Sequence, residues 1–281
     1  MSKVLILGDL HFRRKRLPSR LNDPYQVIEQ KLKDIFQVKD ISSVIFLGDV
    51  FDEVNPSVST VISFLDMLRR LIDVPIYTIV GNHDLFSETE SVFDLGTQIQ
   101  KIDSELQIDN VLFKALHYYN KLPTESDEQE ENIILLSHKM IVPQIGTVPT
   151  PEEIAASTAA TWGYKTIITG HYHNSFDLEV DNCRIINPGV IYRNGGEIDI
   201  KAYGIILDTN DLSIEKIPLL RIDDFKQKEV TETAKTITQL LTQISVASNQ
   251  TTRKGIEDRL LNEAPLLVKP RIVWALKNIK R

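Results

Sequence analysis

The sequence predicts an α/β fold carrying a small α+β appendage at its C-terminal end, and three observations lead there. Residues 3–9 (KVLILGD), 43–49 (SVIFLGD) and 75–80 (PIYTIV) are short apolar runs, the pattern of strands buried on both faces. Amphipathic stretches long enough for helices separate them, the alternation expected of a parallel sheet. Past residue 183 the pattern changes to short strands joined by tight turns, and past residue 221 it changes again.

After the first strand, Asp23-Pro24 is an N-cap followed by proline at the first helical position. It opens a helix whose Val27, Ile28, Leu32, Ile35 and Phe36 share one side. After the second strand, Pro56-Ser57 opens another helix, carrying Val61, Phe64, Leu65, Leu68 and Ile72, and the third strand follows. This β-α-β-α-β order, with right-handed crossovers, predicts a parallel sheet with helices packed on it. Two further strands of the same type are expected at residues 132–138 (NIILLSH) and 166–173 (TIITGHYH), with a helix around 151–161 between them. Residues 183–193 (CRIINPGVIYR) and 203–220 (YGIILDTNDLSIEKIPLL), the latter turning at Thr209-Asn210-Asp211, predict an antiparallel second sheet. From Arg221 onward, Ile237, Leu240, Leu241 and Ile244 fall at helical spacing, with a second helix expected over 256–261 and a strand over 266–276. The expected division is therefore a main domain over 1–220 and a small module over 221–281.

With 281 residues, 42% of them hydrophobic, the chain can bury a substantial core. No apolar run approaches the roughly 18 residues of a membrane span. Met1–Lys3 leads straight into a strand, so a cytoplasmic location is expected. The single cysteine, Cys183, excludes internal disulfides and cysteine-only zinc sites, so a metal would need His, Asp, Glu and Asn donors, a set suited to harder cations. A net charge of −7 argues against a globally basic nucleic-acid coat. Two local exceptions are FRRKR at residues 12–16 and the unopposed Lys269, Arg271, Lys277, Lys280 and Arg281 at the end. The acidic stretch 124–132 is read as a solvated loop.

Each of the five strands of the first type stops in polar residues: Asp9 and His11; Asp49 and Asp52; Asn82 and His83; His138; His171 and His173. Five of the six histidines occupy these ends, and only His117, read as a satisfied structural residue, lies elsewhere. The carboxyl edge of a parallel sheet is where a ligand crevice forms, so these groups can converge. Burying so many polar groups without a cation would be destabilising, which points to metal. DLH and HYH each put two donors on one side of an extended segment. Asp49 can bridge two cations, and the Asn82 amide can ligate without adding charge. Two ions about 3.5–4 Å apart generate hydroxide and steady both the attacking and the leaving oxygen of an in-line phosphoryl displacement. The chemistry expected is hydrolysis of a phosphate ester.

GDLH, GDVFD, GNHD, the isolated His138 in LLSHK, and GHYH, in this order over residues 3–208, resemble the calcineurin-type metallophosphoesterases. The resemblance implies a four-layer α/β/β/α sandwich of two mixed sheets. It also implies that Asp9, His11, Asp49 and His173 bind one metal, and Asp49, Asn82, His138 and His171 the other. His83 would assist the leaving oxygen while a hydroxide between the ions attacks in line; Asp52 would orient His83; Asp84 would support the ligands or cap the following turn.

The motifs GDVFDEV and GNHDL depart from the phosphoprotein phosphatase branch. Residues 48–84 and NPGVIYR (187–193) instead resemble the SbcD-type nuclease subunit of DNA double-strand-break repair complexes. That likeness implies a manganese-dependent DNA exo- or endonuclease acting in repair or recombination, a homodimer, and an SMC-like (SbcC-type) ATPase partner. Arg13, Arg14, Lys15 and Arg16 would lie near the DNA backbone, and the module after Arg221 would be a reduced capping domain or a partner contact. A small-molecule phosphodiesterase or pyrophosphatase acting on nucleotides or a lipid-linked diphosphate is the alternative, and a non-catalytic scaffold a more remote one.

Overall fold

In the computed structural model, residues 2–16, 22–38, 40–125, 132–148, 150–192 and 201–220 are described. The helices and strand expected beyond Arg221, the boundary at 220/221, the terminal basic residues, Arg193 and most of the acidic stretch lie outside them.

The first strands form where the apolar runs are. β1 (Lys3–Leu7), β2 (Ile41–Phe46) and β3 (Ile76–Thr78) pair in parallel, separated by α1 (Pro24–Ile35) and α2 (Val58–Leu71). The Asp23 carboxylate accepts the N–H groups of Tyr25 and Gln26 at the start of α1, and Ser57 Oγ accepts that of Thr60 at the start of α2. Then come β4 (Ile99–Lys101), β5 (Glu105–Ile108), β6 (Val111–Leu116), β7 (Ile133–Ser137), β8 (Ile141–Val142), β9 (Ile154–Ala155), α3 (Ala156–Ala160), β10 (Thr166–Thr169), β11 (Phe176–Val180), β12 (Cys183–Asn187), β13 (Tyr203–Asp208) and β14 (Ile214–Pro218).

The strands assemble into one sheet of order β14-β13-β1-β2-β3-β4 and a second of order β11-β12-β10-β7-β6-β5, both mixed. Along β1 the side chains alternate: Val4 and Ile6 enter a core shared with Ile134, Leu136, Ile168 and Ile186 of the second sheet, whereas Leu5 and Leu7 face Val27, Ile28, Phe64 and Leu68 of the helices. On the far side, Ala156, Ala159 and Trp162 pack on Leu135, Ile167 and Ile185. Four layers, α/β/β/α, result.

Several sequence expectations are corrected. β7 and β10 do not extend the first parallel sheet but form the centre of the second. The late segments do not make a separate antiparallel sheet either. β13 adds antiparallel to the free edge of β1, from Lys3↔Asp208 to Ile6↔Ile205, with β14 outside it, while β12 runs parallel to β10. A buried apolar run has no preference for one sheet over another until both faces are packed, so periodicity leaves this open. The helix expected over 151–161 shrinks to five residues, because Ile154 instead donates its N–H to Met140 O and pairs with β8. No signal anticipated β4–β6. Among the described residues, no helix is long and apolar enough to cross a membrane.

Candidate metal centre

The carboxyl ends of β1, β2 and β3 meet those of β7 and β10 along one seam. Leu10 and His11 both donate their N–H groups to Asp49 O, at 3.1 and 2.9 Å, and Phe12 donates to Val50 O, tying the first two strand ends together. To leave the strand and turn its side chain back toward the seam, the backbone enters the left-handed region at His11 (φ 48), Asp49 (φ 46) and His171 (φ 68). A β-carbon-bearing residue held there stores strain, a cost that recurs at ligand-binding positions. Glycines allow close approaches here: a β-carbon on Gly81 would stand 2.1 Å from Asp49 Oδ1, one on Gly170 2.5 Å from Asp9 Oδ1, and one on Gly48 2.5 Å from His138 Nδ1.

Nine side chains converge on this seam from the five strand ends. His11 Nε2 lies 3.1 Å from His173 Nε2 and 3.7 Å from Asp49 Oδ2; His173 Nε2 lies 3.7 Å from Asp9 Oδ2. On the other side of Asp49, its Oδ1 is 3.4 Å from His138 Nε2, which is itself 3.3 Å from Asn82 Oδ1. Among the described residues, three donor sets have their ligand atoms within 4.8 Å of one another: Asp9–His11–His173, Asp49–His138–His171, and His11–Asp49–His83. Asp49 thus faces two donor groups with different oxygens.

The ring orientations follow from the outward nitrogens. His138 Nδ1 contacts Leu47 O at 2.5 Å and His83 Nδ1 contacts Asp52 O at 2.6 Å, so each ring donates there and keeps Nε2 as its lone-pair nitrogen when neutral. Asp9 accepts the His171 N–H at 2.9 Å, and Asp49 accepts the His83 N–H at 2.9 Å.

Electrostatics separates the titrating groups. Burial pushes His11 and His171 down to about 3, leaving both neutral and able to donate a lone pair. Burial also lowers His138, but the Asp49 charge and hydrogen bond outweigh it and raise this ring to about 9. Conversely, burial would raise Asp49, but the His138 charge and hydrogen bond hold it well below the usual carboxylate range. Burial raises Asp9 to about 6 against the pull of His138.

The donor set fits divalent cations. Two neutral imidazole nitrogens facing each other at 3.1 Å repel unless a proton or a cation joins them, and two nitrogens bound to one ion by bonds of about 2.0–2.1 Å come about 3 Å apart. His11 Nδ1 and His171 Nε2 are buried without a hydrogen-bond partner, each with a carboxylate oxygen at 3.5–3.6 Å.

Other expected residues fall differently. The Asp52 carboxylate does not reach toward His83: Oδ2 is paired with Arg13 at 2.5 Å and Oδ1 lies 3.6 Å from His11 Nδ1, while its backbone carbonyl is what orients His83. A short side chain leaving the strand end has only two oxygens, and these face Arg13 and His11. Burial raises the Asp52 carboxyl in spite of that cation. Arg13 is therefore turned inward, whereas Arg14, Lys15 and Arg16 are exposed; Arg14 and Lys15 line a cavity of about 340 Å³ with Phe12, Glu53, Ser57 and Thr60. Asp84 ties motifs together, accepting the N–H groups of Val50 and Phe51 through Oδ1 and of Gly81 through Oδ2. His117 is structural: Val80 N–H donates to its Nδ1 and its Nε2 donates to Asp103 O.

Sequence reasoning missed two residues at the rim. Glu152 Oε2 lies 3.5 Å from His171 Nε2, and Tyr118 donates its OH to Glu152 Oε1 while its ring meets His171 edge-on. Neither sits in a motif, and no periodicity marks them.

The sequence profile of the calcineurin-like phosphoesterases matches residues 2–175. Among curated relatives, the DNA double-strand break repair protein Mre11 of Methanosarcina mazei is 25% identical over 225 residues, covering 73% of this chain and 36% of that protein. The protein of the same name from Sulfolobus acidocaldarius is 29% identical over 153 residues, covering 50% of this chain and 40% of its own. The chain thus spans well under two thirds of the length of these relatives. Among solved structures, an archaeal phosphodiesterase is similar over 77% of this chain and 99% of its own, at 20% identity and a TM-score of 0.43.

Proposed function

The chain belongs to the calcineurin-like phosphoesterase family, metal-dependent hydrolases, and on that footing we propose that it is a two-metal phosphodiesterase whose substrate is DNA. One observation carries the two-metal reading: Asp49 turns Oδ1 toward His138 and Oδ2 toward His11, so one carboxylate serves both donor groups. Asp9, His11, Asp49 and His173 would hold one ion, and Asp49, Asn82, His138 and His171 the other, with manganese the expected metal for such mixed oxygen and nitrogen donors. When bound, such a pair supplies a nucleophile at neutral pH and offsets charge on the phosphoryl oxygens.

The chain's own residues supply the rest. Asn82 adds a donor without adding charge. His83, held by Asp52 O, presents Nε2; when protonated there it gives a proton to the leaving oxygen. Burial of Asp9, Asp49 and His138 excludes bulk water from the inner face of the centre. For DNA as substrate, the support is the SbcD-like motif run, the likeness to Mre11 relatives that are DNA double-strand break repair proteins, and the exposed Arg14, Lys15 and Arg16 close after His11. The same likeness extends the proposal to a homodimer and to an SMC-like ATPase partner.

The test is digestion of single-stranded, blunt and hairpin DNA with manganese, magnesium and zinc, by the wild type and by Asn82→Ala. Nucleotide release that needs Asn82 is the expected result. Hydrolysis of bis(p-nitrophenyl) phosphate with neither cleavage nor binding of DNA would replace DNA by a small phosphodiester, and absence of metal binding would end the catalytic reading.

A further inference from the structure

The two buried imidazole nitrogens that lack a hydrogen bond, His11 Nδ1 and His171 Nε2, each have one carboxylate oxygen just beyond hydrogen-bonding contact. For His11 it is Asp52 Oδ1 at 3.6 Å; for His171 it is Glu152 Oε2 at 3.5 Å. The two donor groups therefore have matching outer acids, one from a motif and one from the loop before α3. A metal-binding histidine commonly gives its other ring N–H to a carboxylate or carbonyl, which fixes the tautomer and raises ligand basicity. His138 and His83 have carbonyls in that position, from Leu47 and Asp52. Without Glu152, His171 would be the ring of the second group with nothing outside it to choose its tautomer.

We infer that Glu152 is a positioning residue for His171, holding a proton on Nε2 and so leaving Nδ1 as the metal-donating nitrogen, with Tyr118 as the clamp on Glu152. This rests on the two-metal reading above. The clamp is built rather than incidental. Tyr118 donates its OH at 3.1 Å to Oε1 of the same Glu152 carboxylate whose Oε2 faces His171. Its ring meets the imidazole edge-on at 5.6 Å. Its backbone N–H is anchored on Val80 O at 3.0 Å, next to the GNHD turn. Lys139, beside the ligand His138, donates Nζ to the carbonyls of Tyr118 and Asn120 and so holds the segment from below. Glu152 itself is half exposed, so a carboxylate is kept at the rim on this side of the centre, opposite in charge to Arg14 and Lys15.

The experiment titrates the full-length protein with manganese, following binding by calorimetry and by the spin signal of the free ion, for wild type, Glu152→Ala, Glu152→Gln and Tyr118→Phe. Loss of an outer partner lowers metal affinity by about 10–100-fold, so Glu152→Ala should weaken one of the two ions by that factor and leave the other unchanged. Glu152→Gln keeps an acceptor oxygen and should recover part of the affinity; Tyr118→Phe should fall between. Wild-type affinity for both ions in Glu152→Ala overturns the inference. The tautomer gives a second, metal-independent readout: in nitrogen-15 spectra of the metal-free protein, His171 should carry its proton on Nε2 in the wild type and divide between tautomers in Glu152→Ala. If the wild type binds no manganese, the two-metal reading fails and this spectrum alone decides, an unchanged tautomer ratio being the result against Glu152.

Discussion

His11 and His173, 162 residues apart in the chain, bring their Nε2 atoms to 3.1 Å. The backbone that carries each ring is tied down, since His11 N–H is bound to Asp49 O and His173 O accepts the Val190 N–H. On the two-metal reading the pair holds one cation. His173→Ala should therefore reduce bound manganese by one ion per chain while leaving the fold intact. Phosphodiester hydrolysis should fall by about 10²-fold or more, the scale of removing one charge-stabilising group from a preorganised site. Metal analysis of the purified variant checks the first point, and full metal content in it would take His173 out of the donor set.

Metal loading should release protons, with a pH dependence whose sign follows from His138. In the metal-free protein this ring is raised to about 9, so near neutral pH it is protonated, and an ion must displace that proton to use Nε2. Binding is thus opposed by acid: manganese affinity should rise about tenfold per pH unit up to about pH 9 and then level off. Below about pH 6 the slope should steepen, because Asp9 then also carries a proton. His11 and His171, at about 3, add nothing over this range. Calorimetry in buffers of different ionisation enthalpy counts the released protons, and a flat profile between pH 6 and 9 would refute the assignment of His138.

His83→Ala separates two roles for one ring. His83 is oriented by Asp52 O through Nδ1, yet it also lies within ligand distance of His11 and Asp49. As a proton donor its removal should lower kcat by about 10²–10⁴-fold with both ions retained. Loss of an ion in His83→Ala would instead make it a ligand in the set it shares with His11 and Asp49.

Asp84 should matter for stability more than for chemistry. Its carboxylate accepts three backbone N–H groups from two strand-end turns, all buried. Asp84→Ala leaves those donors unsatisfied and should cost about 2–4 kcal/mol, each orphaned donor being worth about 1–3 kcal/mol with incomplete additivity. A lowered denaturation midpoint at constant slope is the expected measurement.

The amino-acid sequence alone determined β1, β2, β3 and the two capped helices between them, because apolar runs, Asp23-Pro24 and Ser57 act within a few residues of themselves. It also placed Asp9, His11, Asp49, Asn82, His83, His138, His171 and His173 at strand ends, and the structure brings these groups together. Only the tertiary structure decided which sheet β7, β10 and β13 join, that Asp52 serves Arg13 and His11 with its carboxylate and His83 with its carbonyl, and that Glu152 and Tyr118 stand over His171. The reason is that these choices depend on left-handed turns at His11, Asp49 and His171 and on contacts between segments far apart in the chain. A local pattern supplies the groups; the packing of two sheets decides which atom of each one faces which neighbour.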